Sequence, residues 1–342
     1  MKIFMPSRIL DRHVGGNTTY ARRISEGIIE FGHELARIPA TNNALTTMVR
    51  ETVEGRKRGR PNEVLHYVAD TGLLTPARRP SVVTVHGVAS LTVEGVRSPA
   101  KEAIWRFRVG RAIASADHVI TVSNSSALDI EHVFGVNRAS MSVIPHGIDS
   151  QVFSTPTELS DKVREIVPKE FALYLGNIEP RKNVRSLVDA FASDKLSSLG
   201  VPLVIAGKPA WDFQEAMDAI ERNPNVIHLG FVSDTDRTAL MQRCLLFVFP
   251  SLYEGFGFPV LEALASGCVV ASSRRGSLKE VAGPSLELEA LDAEGLADGI
   301  ATALTNQVAR TKCIRDGKAW ASKFSWDESI RAHLGVYERV LS

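Results

Sequence analysis

One stretch limits what this 342-residue chain can fold into more than any other. Phe247, Val248 and Phe249 form an apolar run that reads as a buried strand, and Pro250-Ser251 ends it. A glycine-rich loop follows, with Gly255 and Gly257, and then Pro259 stands at the first position of a short apolar helix that Gly267 stops. Cys268-Val269-Val270-Ala271 opens another buried strand. Strand, glycine loop, helix and strand make a βαβ unit, whose loop lies at the carboxyl edge of a parallel sheet, where such sheets bind ligands. The expected class is α/β.

Two carboxylates bracket that loop, Glu254 before the glycines and Glu262 in the expected first turn of the helix. Gly255 and Gly257 let backbone approach a ligand closely or take positive φ. The free amides at the helix start, from Phe258 to Val260, then face an anion, most naturally a phosphate. An acid on each side of a phosphate cradle suits a ligand with hydroxyls on both sides of a diphosphate, and a nucleotide sugar is such a ligand. The plainer alternative makes Glu254 an exposed loop residue and Glu262 a favourable charge at the positive helix end.

The same grammar repeats along the chain. Residues 2–5 read as a first strand, and the loop 11–19, holding Gly15 and Gly16, leads into an amphipathic helix over 20–31. Residues 40–62, with Arg50, Arg56, Lys57, Arg58 and Arg60, read as an exposed basic loop. Two more strands follow at 65–68 and 81–85, the second ending in His86-Gly87. A helix over 101–116 carries Arg106, Arg108 and Arg111 beside Trp105 and Phe107; a core-packed helix with a basic outer face and a helix resting on anionic lipid both fit it. After a polar segment at 150–169, residues 171–175 and Gly176 open a second alternation. There Arg181 and Lys182 stand just before a helix start, where side-chain charge adds to free amides and makes an anion site. Asp234-Thr235-Asp236 superficially matches a D-x-D metal motif. Ser233 and Asp236 at three-residue spacing start a helix more simply.

The run Glu-Gly-Phe-Gly-Phe-Pro-Val-Leu-Glu-Ala-Leu-Ala-Ser-Gly, with seven residues between Glu254 and Glu262, closely resembles the E-x7-E signature of retaining glycosyltransferases of family 4. The resemblance implies the GT-B fold: two Rossmann-like domains facing a cleft, an acceptor-side domain over 1–150 and a nucleotide-sugar domain over 151–326, with a last helix at 327–342 crossing back to the first. It implies that Glu254 contacts the donor sugar, that Glu262 binds the ribose, and that the loop residues Gly255, Phe256, Gly257, Phe258, Pro259 and Val260 frame sugar and diphosphate. It places Arg181 and Lys182 on the diphosphate, Gly176 and Gly16 near the donor, and His86 against the sugar from across the cleft. The segment 226–234, with Val232 and Asp234, resembles the part that frames the nucleobase. Many relatives carry Arg directly after the first glycine of the second domain, where this chain has Asn177.

The expected activity is metal-independent, with no cofactor, and moves a hexose to a glycan or lipid-linked acceptor in cell-surface polysaccharide or glycoconjugate synthesis. The Asp234 carboxylate can accept from guanine N1 and N2, and the local sequence looks most like bacterial mannosyltransferases, so GDP-mannose is favoured over a UDP-sugar. A UDP-sugar enzyme and a noncatalytic sugar-binding assembly subunit are the alternatives. A net charge of +1 gives no ground for nucleic-acid binding. Residues 1–150 nonetheless carry a net +5 and the remainder −4, which suits peripheral contact with an anionic membrane. Three cysteines without metal or redox spacing, a start that does not read as a signal peptide and the absence of a long apolar run point to the cytoplasm, with peripheral contact at the inner membrane face.

Overall fold

The apolar runs form two parallel sheets, each of six strands among the described residues. The computed structural model describes residues 1–11, 15–41, 43–89 and 98–342, so Arg12, His13 and Val14 of the first glycine loop lie outside the described residues. The chain divides into two units, Met1–Gly147 with Phe324–Ser342, and Ile148–Lys323. No helix among the described residues is long and apolar enough to cross a membrane.

In the first unit the strands are β1 (Lys2–Pro6), β2 (Glu34–Ile38), β3 (Glu63–Tyr67), β4 (Ser81–Val85), β5 (His118–Thr121) and β6 (Met141–Val143), in the order β2-β1-β3-β4-β5-β6. The central strand β4 is buried at all five positions, as expected for a parallel strand covered on both faces. The helix Gly16–Glu30 packs Ile24 and Ile28 into one core with Ile330, Leu334 and Tyr337 of the terminal helix Trp326–Leu341. That first helix begins four residues before the expected position, with Gly15 as its cap.

The segment read as a basic loop at 40–62 is largely a helix, Ala44–Arg56. Its inward side presents Thr47, Glu51 and Gly55, while Val49 and Val53 are exposed, so no apolar stripe marks it in the sequence. Glu51 accepts from Arg8 Nε at 2.7 Å, and Tyr67 donates to the Glu51 carbonyl at 2.9 Å. Arg50, Arg56, Lys57, Arg58 and Arg60 are exposed, as the charge run suggested.

The second unit carries β7 (Ala172–Leu175), β8 (Leu203–Ala206), β9 (Val226–Gly230), β10 (Leu246–Phe249), β11 (Val270–Ser272) and β12 (Leu286–Glu287), in the order β12-β11-β10-β7-β8-β9. The chain builds outward from β7 to β9, then returns to the other side of β7 with β10. β7 and β10 therefore flank the point where strand order reverses, the position at which open parallel sheets bind ligands. The loops leaving their carboxyl ends are the Gly176–Asn183 segment and the glycine-rich stretch from Pro250 to Gly257.

Candidate active site

Glu254, Arg181 and Lys182 meet at this switch point. Lys182 Nζ lies 2.5 Å from Glu254 Oε1, and Arg181 donates to Glu254 Oε2 and to the Tyr253 carbonyl, each at 2.9 Å. The second guanidinium nitrogen of Arg181 reaches Glu179 at 2.5 Å. Glu254 is only 7% exposed, which removes the alternative of a surface loop residue. Burial alone would push its pKa up, but the Lys182 ammonium and the Arg181 guanidinium outweigh that and hold it down at about 2. Burial lowers the pKa of Lys182 against the pull of Glu254, while Glu254 and Glu179 overcome burial and raise that of Arg181. Two cations and two carboxylates are thus balanced in one buried cluster.

The glycine loop is braced from a segment that sequence reasoning passed over. Ser277 Oγ donates to the carbonyls of Glu254 at 2.9 Å and Phe256 at 2.6 Å. Gly276 sits at φ +58°, where an added Cβ would lie 2.6 Å from the Glu254 carbonyl oxygen, so a side chain there would push the loop out. Gly257 has φ +108° and caps the helix Phe258–Ser266, whereas Gly255 has no positive φ. That helix starts one residue before Pro259, and Glu262 falls in its second turn rather than its first. The Val260 amide already donates to the Gly257 carbonyl at 3.1 Å.

Glu262 belongs to a separate pair. It is 6% exposed, and its Oε2 lies 3.3 Å from Arg237 NH1; the other Arg237 nitrogen is 3.7 Å from the exposed Asp234. Burial raises the Glu262 pKa, with Arg237 opposing and Asp234 adding to the shift. Ser233 caps the helix Asp234–Arg243 through the Asp236 amide at 3.0 Å. Asp236 turns inward and accepts from the Ser160 amide at 2.8 Å, which suits a structural carboxylate. Val232 lies half-buried just before that helix, and Gly176 follows β7, its amide bonded to the Ala206 carbonyl at 3.0 Å. Neither Glu179 nor Arg237 was picked out from the sequence. Glu179 directly precedes Pro180-Arg181-Lys182, a local signal that could have been used; Arg237 meets Glu262 only through the fold.

Gly16 and His86 lie in the first unit. Gly16 is the first residue of its helix. His86 Nε2 is 3.1 Å from the Val68 carbonyl, which can only accept, so the neutral ring carries its proton on Nε2 and keeps Nδ1 as acceptor. Its amide donates to Asp70 at 2.9 Å, and its ring stands edge-on to Tyr20 at 4.9 Å and 5.6 Å from His146. Burial depresses the His86 pKa against the pull of Asp70.

Comparison with known proteins identifies the family. A sequence model of the Glycosyl transferases group 1 matches residues 157–320, and one of Glycosyltransferase Family 4 matches residues 39–152. The Escherichia coli O-antigen chain mannosyltransferase B is 27% identical over 266 residues, covering 75% of this chain and 70% of that protein. The E. coli serotype-specific mannosyltransferase WbdA is 31% identical over 248 residues, 66% of this chain, but the match spans only 29% of WbdA. Sucrose-phosphate synthase from Thermosynechococcus elongatus superposes with a TM-score of 0.77 at 16% identity, covering 99% and 98% of the two chains. Anabaena HepE, solved in complex with UDP and glucose, gives 0.76 at 18%, covering 98% and 99%. At these identities the structures speak for the fold, which is that of GT-B enzymes. With the two sequence models covering both units, the chain belongs to the family 4 glycosyltransferases and is a hexosyltransferase.

Proposed function

We propose that this enzyme transfers mannose from GDP-mannose, with retention, to a glycan or lipid-linked acceptor in cell-surface polysaccharide or glycoconjugate synthesis. The observation that carries the reading is the buried Glu254, gripped by Lys182 and Arg181 at the switch point of the second sheet. A carboxylate so fixed is an oriented acceptor for sugar hydroxyls. The cations beside it are preorganised for the charge that develops on a leaving diphosphate, which is electrostatic catalysis without a metal. An incoming diphosphate would share Arg181 with Glu179 and Glu254. The departing phosphate oxygen takes the acceptor proton in front-face attack, and His86, through Nδ1, accepts from a sugar hydroxyl. Glu262 binds the ribose.

Mannose is favoured because the E. coli relatives matched here are mannosyltransferases. Guanine is favoured because the fully open Asp234 carboxylate at the head of its helix can accept from N1 and N2. A UDP-sugar is the second reading, supported by the UDP in the HepE complex. A lipid-linked acceptor accords with the net +5 of residues 1–150 and with Ile104 and Phe107, 61% and 65% exposed on the helix Pro99–Ser115 beside the exposed Lys101 and Arg106.

Thermal melts with GDP, UDP and ADP test the donor, since a ligand that binds the native state raises apparent stability by mass action. GDP should give the largest shift. A shift with UDP alone would replace GDP-mannose by a UDP-sugar. Turnover should survive excess EDTA; loss on chelation that Mg²⁺ or Mn²⁺ restores would defeat the metal-free mechanism.

A further inference from the structure

Arg237 has no place in the chemistry above, yet its surroundings are built with care. Its guanidinium lies between two carboxylates, the buried Glu262 at 3.3 Å and the exposed Asp234 at 3.7 Å. It also rests 5.4 Å over the ring of Phe153. Phe153 is itself pinned, because Gln242, from the same helix as Arg237, donates to the Phe153 carbonyl at 2.8 Å. Neither Glu262 Oε2 nor Arg237 Nε has a hydrogen-bond partner among the described residues, although both atoms are buried. The 3.3 Å contact is thus an ion pair without an aligned hydrogen bond.

A buried carboxylate this poorly satisfied is costly, and native proteins seldom keep one without a use for its spare acceptor capacity. Leaving it charged without a counter-ion would be costlier still. The guanidinium supplies that counter-charge while using little of the carboxylate's hydrogen-bonding capacity. Vicinal hydroxyls, which donate, fit such a carboxylate.

We propose that Arg237 is a positioning residue for donor binding: it fixes the Glu262 carboxylate to receive the ribose hydroxyls of the nucleotide. This rests on the reading of the enzyme as nucleotide-sugar dependent with Glu262 at the ribose. Arg237 acts through Glu262 and touches neither phosphate nor sugar. The charged groups acting on Glu262 are Arg237 and Asp234; the helix Ser150–Ser154 meets the guanidinium with Phe153, which does not titrate.

Calorimetric titration of GDP and UDP into the full-length wild type, Arg237→Ala, Arg237→Lys, Glu262→Gln and the double variant tests this. Arg237→Ala should weaken the better-binding nucleotide about tenfold, the scale of a hydrogen bond to a charged group. Arg237→Lys should recover most of the loss. In the Glu262→Gln background Arg237→Ala should cost less than about twofold, because the two residues act as one unit. Binding of the 2′,3′-dideoxy nucleotide and of inorganic pyrophosphate should be the same with and without Arg237. Without its counter-ion Glu262 protonates more readily, so the loss caused by Arg237→Ala should be larger at pH 6 than at pH 8. A variant that has merely loosened the fold would lose dideoxynucleotide and pyrophosphate binding as well, and that outcome overturns the inference. Wild-type affinity in Arg237→Ala, or losses that add in the double variant, overturn it too and leave the donor reading standing. If the wild type binds no nucleotide, both fall together.

Discussion

At the carboxyl ends of β7 and β10 the second unit buries charge; against β3 and β4 the first unit buries imidazoles and phenols that carry none. The charged cluster closes by pairing, with Glu254, Glu179, Arg181 and Lys182 linked through contacts of 2.5–2.9 Å. The neutral cluster closes by matching donors to acceptors. His333 Nδ1 lies 2.7 Å from the Ser329 carbonyl, so Nδ1 holds the proton and Nε2 accepts from the Tyr20 hydroxyl at 2.8 Å. Tyr20 can then accept from Thr84 at 2.8 Å, Thr84 from His66 Nε2 at 2.8 Å, and His66 Nδ1 from Tyr337 at 2.7 Å. One carbonyl orients the whole chain, which begins and ends on the terminal helix. The contrast separates two uses of buried polarity. The charged cluster stands at the switch point of its sheet, and the neutral one ties a helix to the first sheet and backs the ring of His86.

Acid should expose the difference most strongly. His333 is pushed down to about 4 by burial, and His66, His146 and His86 are lowered for the same reason. Between about pH 6.5 and 4 the unfolded chain binds more protons than the native one, so stability falls as pH falls through that window. His333 alone accounts for about 3 kcal/mol, and the other three add in the same direction. Glu254 behaves otherwise. Its depressed pKa contributes stability that is complete above about 4.5 and lost only as pH falls toward 2. Urea melts across pH 7 to 3 should therefore show the first unit failing first, followed by the fluorescence of Trp326, whose ring is 6.0 Å from that of His146. Flat stability from pH 7 to 5 would break the comparison.

Mutation should reverse the ranking. Glu254→Ala leaves the Lys182 ammonium buried and unpaired, a change that costs roughly 3–5 kcal/mol. Replacing Glu254 and Lys182 together by apolar residues of similar volume should cost far less, because no charge is stranded. Both variants should lose turnover, since Glu254 is proposed to hold the sugar. Chemical denaturation gives the stability of each, and a double variant as unstable as the single one would mean that the cluster is held by packing and not by charge.

Much of this contrast could be read in advance on one side only. The second unit's site is spelled in contiguous text: Glu254, the glycines and Glu262 lie within nine residues, and Arg181 and Lys182 stand together before a helix. The parallel sheets were equally legible, because β4, β7 and β10 are short apolar runs closed by turn residues. The neutral cluster was not legible. Tyr20, His66, Thr84, His333 and Tyr337 come from four elements up to 317 positions apart, so no spacing rule links them. The helix Ala44–Arg56 was missed for a different reason, since its buried side is polar and held by Arg8 and Tyr67 from elsewhere. Arg237, too, has only tertiary meaning.

The smallest expected effect is the sharpest test of the neutral cluster's direction. If the Ser329 carbonyl orients the chain, Tyr337 stands at its donor end and gives a proton while receiving none from the network. Tyr337→Phe then leaves one acceptor, His66 Nδ1, without its donor, and the loss should be about 1 kcal/mol. Tyr20→Phe interrupts the middle, depriving His333 Nε2 of a donor and Thr84 of an acceptor, and should cost more, roughly 2–3 kcal/mol. The ring nitrogens report the same thing directly: ¹⁵N shifts should show His333 protonated on Nδ1 and His66 on Nε2 in the wild type. In Tyr337→Phe, His66 has no remaining reason to leave Nδ1 bare, yet Thr84 can still accept from Nε2, so its tautomer should persist. In Tyr20→Phe, Thr84 loses its acceptor and can turn its own proton toward His66, which frees His66 to shift the proton to Nδ1 and compete with Tyr337. Equal costs for the two variants, or a wild-type His66 protonated on Nδ1, would mean that the chain runs the other way or has no fixed direction.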